Sequence, residues 1–354
     1  MESSRASLIE SVENTLESSL GSIASVNTDL KVLSINAKIQ AARVGALGAG
    51  FGVVANEMGN LASHTEAIIA DLRISIKGMM NNLIELENGV RGQRLAQMAA
   101  YNIEIVDRSL YERSCDVRWW ATDGAIVDAA MSISKGQIDF ASQRMGVILD
   151  AYSVYFDIIL CDMRGNILCN GRPGKYQCAG LNMGQTAWFN RAVAAKNGSE
   201  YGFEGPLTSA LAGGKNTLVF SCGVRDRGQA YGKLQGVLGV VLNWDALGRE
   251  VLLQTQKALS AEAEEPVKCY ICRTDGVILS STEAFTRDDK IALENLSNII
   301  QSKFTTYRGS NGQVLLIGVG LSRGFEAYKT GWASIITEAM DRRDVQRHSQ
   351  WSGK

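Results

Sequence analysis

The sequence predicts an α+β protein: an N-terminal antiparallel α-helical coiled-coil hairpin, a long helix after it, and two antiparallel-sheet modules in series. Apolar residues recur every seven positions over the first quarter of the chain, and one cluster of small residues interrupts that repeat. From about residue 150 the period of the pattern falls to two, the signature of strands.

The first helix carries Ile9, Leu16, Ile23, Leu30, Ala37 and Val44 at seven-residue spacing. Val12, Val26 and Leu33 occupy the companion position, and Ser19 and Gln40 interrupt it. This is a coiled-coil seam of roughly five heptads. After Gly45, Gly48 and Gly50 the repeat restarts with Phe51, Met58, Thr65, Leu72, Met79 and Leu86, accompanied by Val54, Leu61 and Ile68. Glycine supplies the positive φ that a tight helix-to-helix turn needs. A lone hairpin of this length encloses no core, so two are expected to pair into a four-helix bundle, making the protein a homodimer.

The hairpin is assigned to 1–92 and a connecting long helix to 93–135, with a break expected near Gly89 or Gly92. In the connecting helix Ile103, Val106, Leu110, Val117 and Trp120 fall at helical spacing, and Arg108 with Glu112 makes an i,i+4 pair on the charged side. The first sheet module is assigned to 136–250, the second and smaller to 251–340, and a polar tail to 341–354. VYFDIILCD with ILC, and NTLVFSCGVRD with KLQGVLGVVLNW, read as two hairpins around a short helix, WFNRAVAAKN. CYICRTDGVIL, a helical DDKIALENLSNIIQ, KFTTY and QVLLIGVG repeat that order. Internal repetition of one α+β unit follows.

Composition narrows the function. The 354 residues are 45% apolar and 21% charged with a formal net charge of −1, which offers no field to gather nucleic acid. The longest apolar run, Val237 to Leu242, is far short of the ~20 residues that span a bilayer. The first residues lack a secretory signal, so no membrane span and a cytoplasmic location are expected. Cys269 and Cys272 fall on one strand at a spacing that turns their sulfurs to opposite faces, and Cys161, Cys169, Cys178 and Cys222 are irregularly spaced. Buried apolar thiols are the expectation, with a metal or haem held by the latter four as the alternative. His64 and His348 are the only histidines, and no GxxxxGK[ST] motif occurs. No catalytic residues, no enzyme activity and no cofactor are therefore expected.

The small-residue cluster has a particular order: Asn36-Ala37, Ile39, Ala41-Ala42-Arg43, Gly45, Gly48, Gly50-Phe51, Val53-Val54-Ala55, Glu57 and Leu61-Ala62. It resembles the kinase-control hairpin tip of bacterial methyl-accepting chemotaxis receptors. The resemblance implies contact with the chemotaxis histidine kinase and its coupling protein through Asn36, Gln40, Arg43, Phe51, Val54 and Glu57. Gln40 and Ala46 stand where the family usually has glutamates, Ala49, Gly59 and Asn60 where it has basic residues, and Asn56 where it has an aspartate. Charges at an interface set partner choice and encounter rate, so these departures bear on that contact. Neither hairpin helix holds the adjacent Glu/Gln pairs that the family methylates.

From about residue 94 to 340 the chain is similar to double Cache sensor domains, PAS-like ligand-binding modules. The likeness rests on the long leading helix, Tyr155, Ile158, Leu160, Asp162 and Gly165, and the segments GQTAWFNRAV, EYGFEGPLTSA, GVLGVVLNWDAL and GFEAYKTGWASII. It implies a small-molecule pocket in the first module walled by Trp188 and Phe189, with Tyr176, Asn182, Tyr201, Glu204 and Thr208 as polar contacts. The amino-acid-binding subgroup adds an arginine and an aspartate where this chain has Thr186 and Val241, so a free α-amino acid is a poor candidate. The expected function is a soluble chemoreceptor-like transducer, with the hairpin placed before the sensor. The alternative is a ligand-binding or scaffold protein whose hairpin only dimerises or joins receptor arrays.

Overall fold

The computed structural model describes residues 4–261, 267–310, 312–326 and 328–340, so the polar tail with His348 lies outside the described residues. The chain divides into two compact units, the first running to Arg91 and the second beginning at Gly92.

In the first unit α1 (Ser4–Arg43) turns through Gly45–Gly48 into α2 (Ala49–Trp120). Gly45 has φ of +63°, and a Cβ on Gly48 would sit 2.2 Å from the carbonyl oxygen of Ala41, so the turn requires both glycines. Gly50 has an ordinary helical backbone and open space beside it. The returning helix is held antiparallel by bonds that cross the interface. Asn27 Nδ2 donates to the Ala62 carbonyl at 2.9 Å, Ser34 Oγ to that of Ala55 at 2.7 Å, and Lys31 pairs with Glu66.

These contacts correct the predicted seam. The helices close on Leu20, Asn27 and Ser34 against Ile69, Ala62 and Ala55, all buried and all at seven-residue spacing. Small and polar residues win this line because they let the backbones approach until side chains reach the opposite carbonyls. Within one chain the apolar companion line, Val12, Val26, Leu33, Val54, Leu61 and Ile68, stays exposed.

The expected break near Gly89 or Gly92 is absent, and α2 continues to Trp120. The helix instead stops where Ala121-Thr122-Asp123 intervenes, and α3 (Gly124–Ser132) starts with Asp123 accepting from the Ala125 N–H as its N-cap. The region read as one connecting helix is thus two helices, followed by α4 (Lys135–Asp150).

The first sheet contains β1 (Tyr155–Cys161), β2 (Ile167–Asn170), β3 (Gly202–Ser209), β4 (Lys215–Arg225) and β5 (Leu234–Asn243), with α5 (Ala187–Ala194) between β2 and β3. After α6 (Glu250–Ser260) the second contains β6 (Val267–Cys272), β7 (Ile278–Ser281), β8 (Phe304–Arg308), β9 (Val314–Leu321) and β10 (Ala333–Ala339), with α7 (Leu296–Gln301) before β8. The orders β2-β1-β5-β4-β3 and β7-β6-β10-β9-β8 are the same topology, and all pairs are antiparallel.

Two elements depart from the expected pattern. The third strand was hidden in GFEGPLTS, where Gly205-Pro206 breaks the alternation; β3 is an edge strand, and its register with β4 shifts there, which is where a sheet tolerates proline. The helix expected over DDKIALENLSNIIQ shrinks to α7, because the preceding residues pair with the β6–β7 turn: Ile278 N–H donates to Asp289 and Ile291 N–H to Gly276.

One continuous core joins the two sheets. It takes Leu95, Ile103, Leu110 and Trp120 from α2, Leu218, Phe220 and Leu242 from the first sheet, and Cys269, Leu316 and Ile336 from the second. β9 lies directly on the helix backbone, since Cβ atoms on Gly318 and Gly320 would meet the backbone of Leu95–Ala100 at 2.2–2.4 Å. Farther along α2, buried Asp107 accepts from Ser322 Oγ and Thr330 Oγ1, each at 2.7 Å, and from Gly324 N–H at 3.1 Å. Asn102 accepts from Thr255 Oγ1 of α6 at 2.6 Å. The opposite face of each sheet has its own smaller cluster, Phe156, Trp188, Phe189 and Val241 on the first, Ile299, Ile300, Ile317 and Ile335 on the second.

The cysteines distribute among these cores. Cys269 faces the shared core and Cys272 the outer one, opposite sides of one strand as the spacing required. Cys161 and Cys178 lie in the outer cluster of the first sheet, whereas Cys169 and Cys222 lie on the helix side, so the four do not converge. Burial pushes Cys178 and Cys222 up to about 11 and Cys169, Cys269 and Cys272 up to about 12.

Replacing Asp107 by alanine strands its buried donors and is expected to lower unfolding free energy by about 2–4 kcal/mol in urea titrations. Arg108→Ala, which removes an exposed ion pair, changes it by less than about 0.5 kcal/mol. Brief iodoacetamide treatment at pH 8 followed by peptide mass spectrometry should mark half-buried Cys115 first. A thiol at about 11 is thiolate in only about one molecule in a thousand there.

Candidate functional site

The outer face of the first sheet gathers aromatic residues under α5. The first turn of a helix leaves amide groups without partners. Here Glu204 Oε2, reaching from β3, accepts the Trp188 N–H at 2.9 Å. The Trp188 carbonyl in turn accepts from Ser221 Oγ of β4 at 2.6 Å, so α5 is clamped to two strands. Trp188 and Phe189 meet edge to face with centroids 6.0 Å apart, and Phe156 meets Tyr176 in the same way at 6.1 Å. The four rings share one buried cluster with Ile159, Val219 and Val241.

Tyr176 is held there by a polar network that pattern reading overlooked. Asn170 Nδ2 donates to Asp157 at 2.6 Å and to the Tyr176 carbonyl at 2.9 Å, while Asp157 accepts the N–H groups of Ile158 and Arg172. The Arg172 guanidinium donates to the carbonyls of Leu149, Tyr155 and Phe156. Burial pushes the Asp157 carboxyl above the ordinary range, opposed by these donors. The signal in the sequence was an aspartate in the middle of an apolar strand, YFDIILC. The phenol oxygen of Tyr176 is buried and has no hydrogen-bond partner.

Of the seven residues expected to contact a ligand, Trp188, Phe189 and Tyr176 come together and Glu204 touches them through the helix amide. The other three lie elsewhere. Tyr201 is on the helix side of the sheet, stacked with Tyr328 at 6.3 Å and covered by the Arg118 guanidinium. Asn182 is exposed, donates to Arg164 and Asn166 in the β1–β2 connection and accepts the Gly184 N–H. Thr208 is exposed near the end of β3. Alternation along a strand separates Tyr201 from Glu204, three positions apart. At the positions where amino-acid binders carry charge, the Thr186 hydroxyl donates to the Met183 carbonyl and Val241 is buried in the cluster.

At the hairpin tip Asn36, Gln40, Arg43, Phe51, Val54 and Glu57 are all exposed, Phe51 by 73%. An exposed phenylalanine beside a tight glycine turn is apolar area that the single chain does not bury.

No family model matches the chain. Over 88 residues, 25% of this chain, it is 32% identical to the methyl-accepting chemotaxis protein TlpQ of Pseudomonas aeruginosa, and the match spans 12% of that receptor's length. Among solved structures it is similar to the sensor domain of the Vibrio cholerae histidine kinase DctB, with a TM-score of 0.54 at 13% identity, covering 72% of this chain and 99% of that one. The sensory domain of the Campylobacter jejuni chemoreceptor Tlp3 superposes with a TM-score of 0.53 at 12% identity, covering 72% and 95% of the two chains. Among the described residues no helix is long and apolar enough to cross a membrane. The chain therefore resembles chemotaxis receptors in sequence over a quarter of its length, and its long helix and paired antiparallel sheets have the fold of Cache-type sensor domains.

Proposed function

We propose that the protein is a non-enzymatic, cytoplasmic chemoreceptor-like transducer that binds a small molecule in its first sheet module and signals through its helical hairpin. The observation that carries the ligand site is the Tyr176 hydroxyl, buried without a partner among Phe156, Trp188 and Phe189. A buried donor left unsatisfied costs about 1–3 kcal/mol, and a ligand atom bonded to it recovers that energy. The cluster is aromatic with no arginine or aspartate at the amino-acid-binding positions, so the ligand class favoured is an uncharged or weakly polar molecule with one hydrogen-bonding group. Ligand binding biases the hairpin only by its difference in affinity for two signalling states, typically 1–3 kcal/mol.

The hairpin supports the output end of this reading. Its exposed stripe of Val12, Val26, Leu33, Val54, Leu61 and Ile68 suits a second hairpin in a four-helix homodimer, and the exposed tip suits the chemotaxis kinase and coupling protein. A second reading, in which the hairpin only dimerises or joins arrays, is favoured by the uncharged Ala46, Ala49, Gly59 and Asn60 at the tip.

A thermal-shift screen should yield a compound that raises the melting temperature of the protein and of Asn182→Ala but not of Tyr176→Phe; equal shifts in all three would place the ligand elsewhere. Leu33→Glu should convert the dimer to monomer in sedimentation velocity. Pull-down of kinase and coupling protein by the wild type, lost in Phe51→Ala with the dimer intact, separates the transducer from the scaffold reading.

A further inference from the structure

The first module also carries a cleft with no part in the aromatic site, at the edge of the sheet beside the end of α2. Pairing of β3 with β4 begins at Gly202 opposite Ser221, so β4 from Cys222 to Arg225 runs past the end of β3. A cleft of about 80 Å³ opens there, lined by Arg118 and Thr122, by Cys222 and Arg225 of β4, and by Ser199 and exposed Ala230. The Gly198 N–H, donating to the Ala230 carbonyl at 2.8 Å, holds the last two segments together.

The lining is cationic, and among the described residues no carboxylate pairs with it. Arg225 is only 8% exposed, and its Nη1 and Nη2 donate to the carbonyls of Gly232 and Ala195. Its Nε is buried and has no partner. Arg118 donates to the carbonyls of Ser114 and Ser199 and to Cys115 Sγ, again neutral acceptors. Among the described residues neither arginine forms an ion pair. Of the carboxylates next to this lining in the chain, Glu200 accepts from the Lys196 N–H, and Asp226 Oδ1 is buried without a hydrogen bond. Both guanidinium charges reach Cys222, where they oppose the upward push of burial on its thiol, so the two positive fields meet in the cleft.

A guanidinium carries five N–H donors, and bonds to neutral carbonyls leave its charge unanswered. We infer that this cleft is a binding site for a small oxyanion, a carboxylate or phosphate group bridging Arg118 and Arg225. Such an anion supplies the acceptor that Arg225 Nε lacks and two charge-assisted contacts in a partly desolvated site. Because Arg118 is on α2 and Arg225 on β4, the bound anion ties the end of the long helix to the sheet. The site is therefore a second input to the same module, and it stands whether or not the aromatic cluster binds a ligand.

The test uses the whole 354-residue chain, with melting temperature and calorimetric titration measured in inorganic phosphate and in acetate against chloride at matched ionic strength. A saturable rise with phosphate, acetate or both, beyond that in chloride, is expected. Ala230→Glu removes no hydrogen bond and places a carboxylate at the mouth of the cleft. It should leave the melting temperature in chloride close to wild type and weaken anion binding at least about tenfold, as repulsion or loss of one charge-assisted bond does. Arg118→Gln, which removes one of the two guanidinium groups, should likewise weaken anion binding. The absence of any response beyond chloride, or an equal response in Ala230→Glu, would overturn the proposal.

Discussion

The second unit depends on how closely β9 approaches α2. Gly318 and Gly320 bring a strand onto the helix backbone at Leu95–Ala100, where any side chain on the strand would strike it. That contact makes the helix a wall of the core and not a stalk beside it. Once the helix is a wall, its polar residues on the same side are buried, and each needs a partner. Asp107 and Asn102 find theirs in the 322–330 segment, in β10 and in α6. Trp244, after the last strand of the first sheet, donates to the Leu279 carbonyl and packs against Trp332 at 5.5 Å, so the two sheets share side chains as well as a helix.

The candidate site inherits its order from the same alternation that builds the sheets. Inner residues of β4 and β5 go to the shared core, and outer ones form the floor under α5. Glu204 and Ser221 then fix α5 by satisfying both the amide and the carbonyl of Trp188. The polar network around Asp157 sets Tyr176 against Phe156 but leaves its hydroxyl unanswered. In the proposed site, aromatic packing would supply the walls and the unpartnered Tyr176 hydroxyl the direction.

Much of this was legible in the residues. The switch of period separated helix from sheet, the glycines marked the turn, and the repeated order of elements anticipated two sheets of one topology. Reading was weakest where a local pattern competes with a tertiary partner. Heptad counting picked the most apolar line, whereas the hairpin closes on Asn27, Ser34, Ala55 and Ala62, because close approach and cross-helix hydrogen bonds favour small and polar residues there. Proline and glycine concealed β3, an edge strand that tolerates them. Among the candidate site residues, the adjacent pair Trp188-Phe189 could be placed together because both belong to one helix. Tyr201 was misplaced because its face depends on where β3 begins.

By itself the sequence determined the kinds of element, their order, the turn at Gly45 and Gly48, and the opposite facing of Cys269 and Cys272. Each follows from local stereochemistry, a period of 3.6 or of two, or a backbone angle that only glycine adopts freely. Tertiary structure alone decided which heptad line the hairpin buries, that α2 runs unbroken to Trp120, and that Arg118 and Arg225, over a hundred positions apart, line one cleft. Those outcomes depend on which groups distant in the chain can satisfy one another's charge, hydrogen bonds and volume, and no local pattern carries that information.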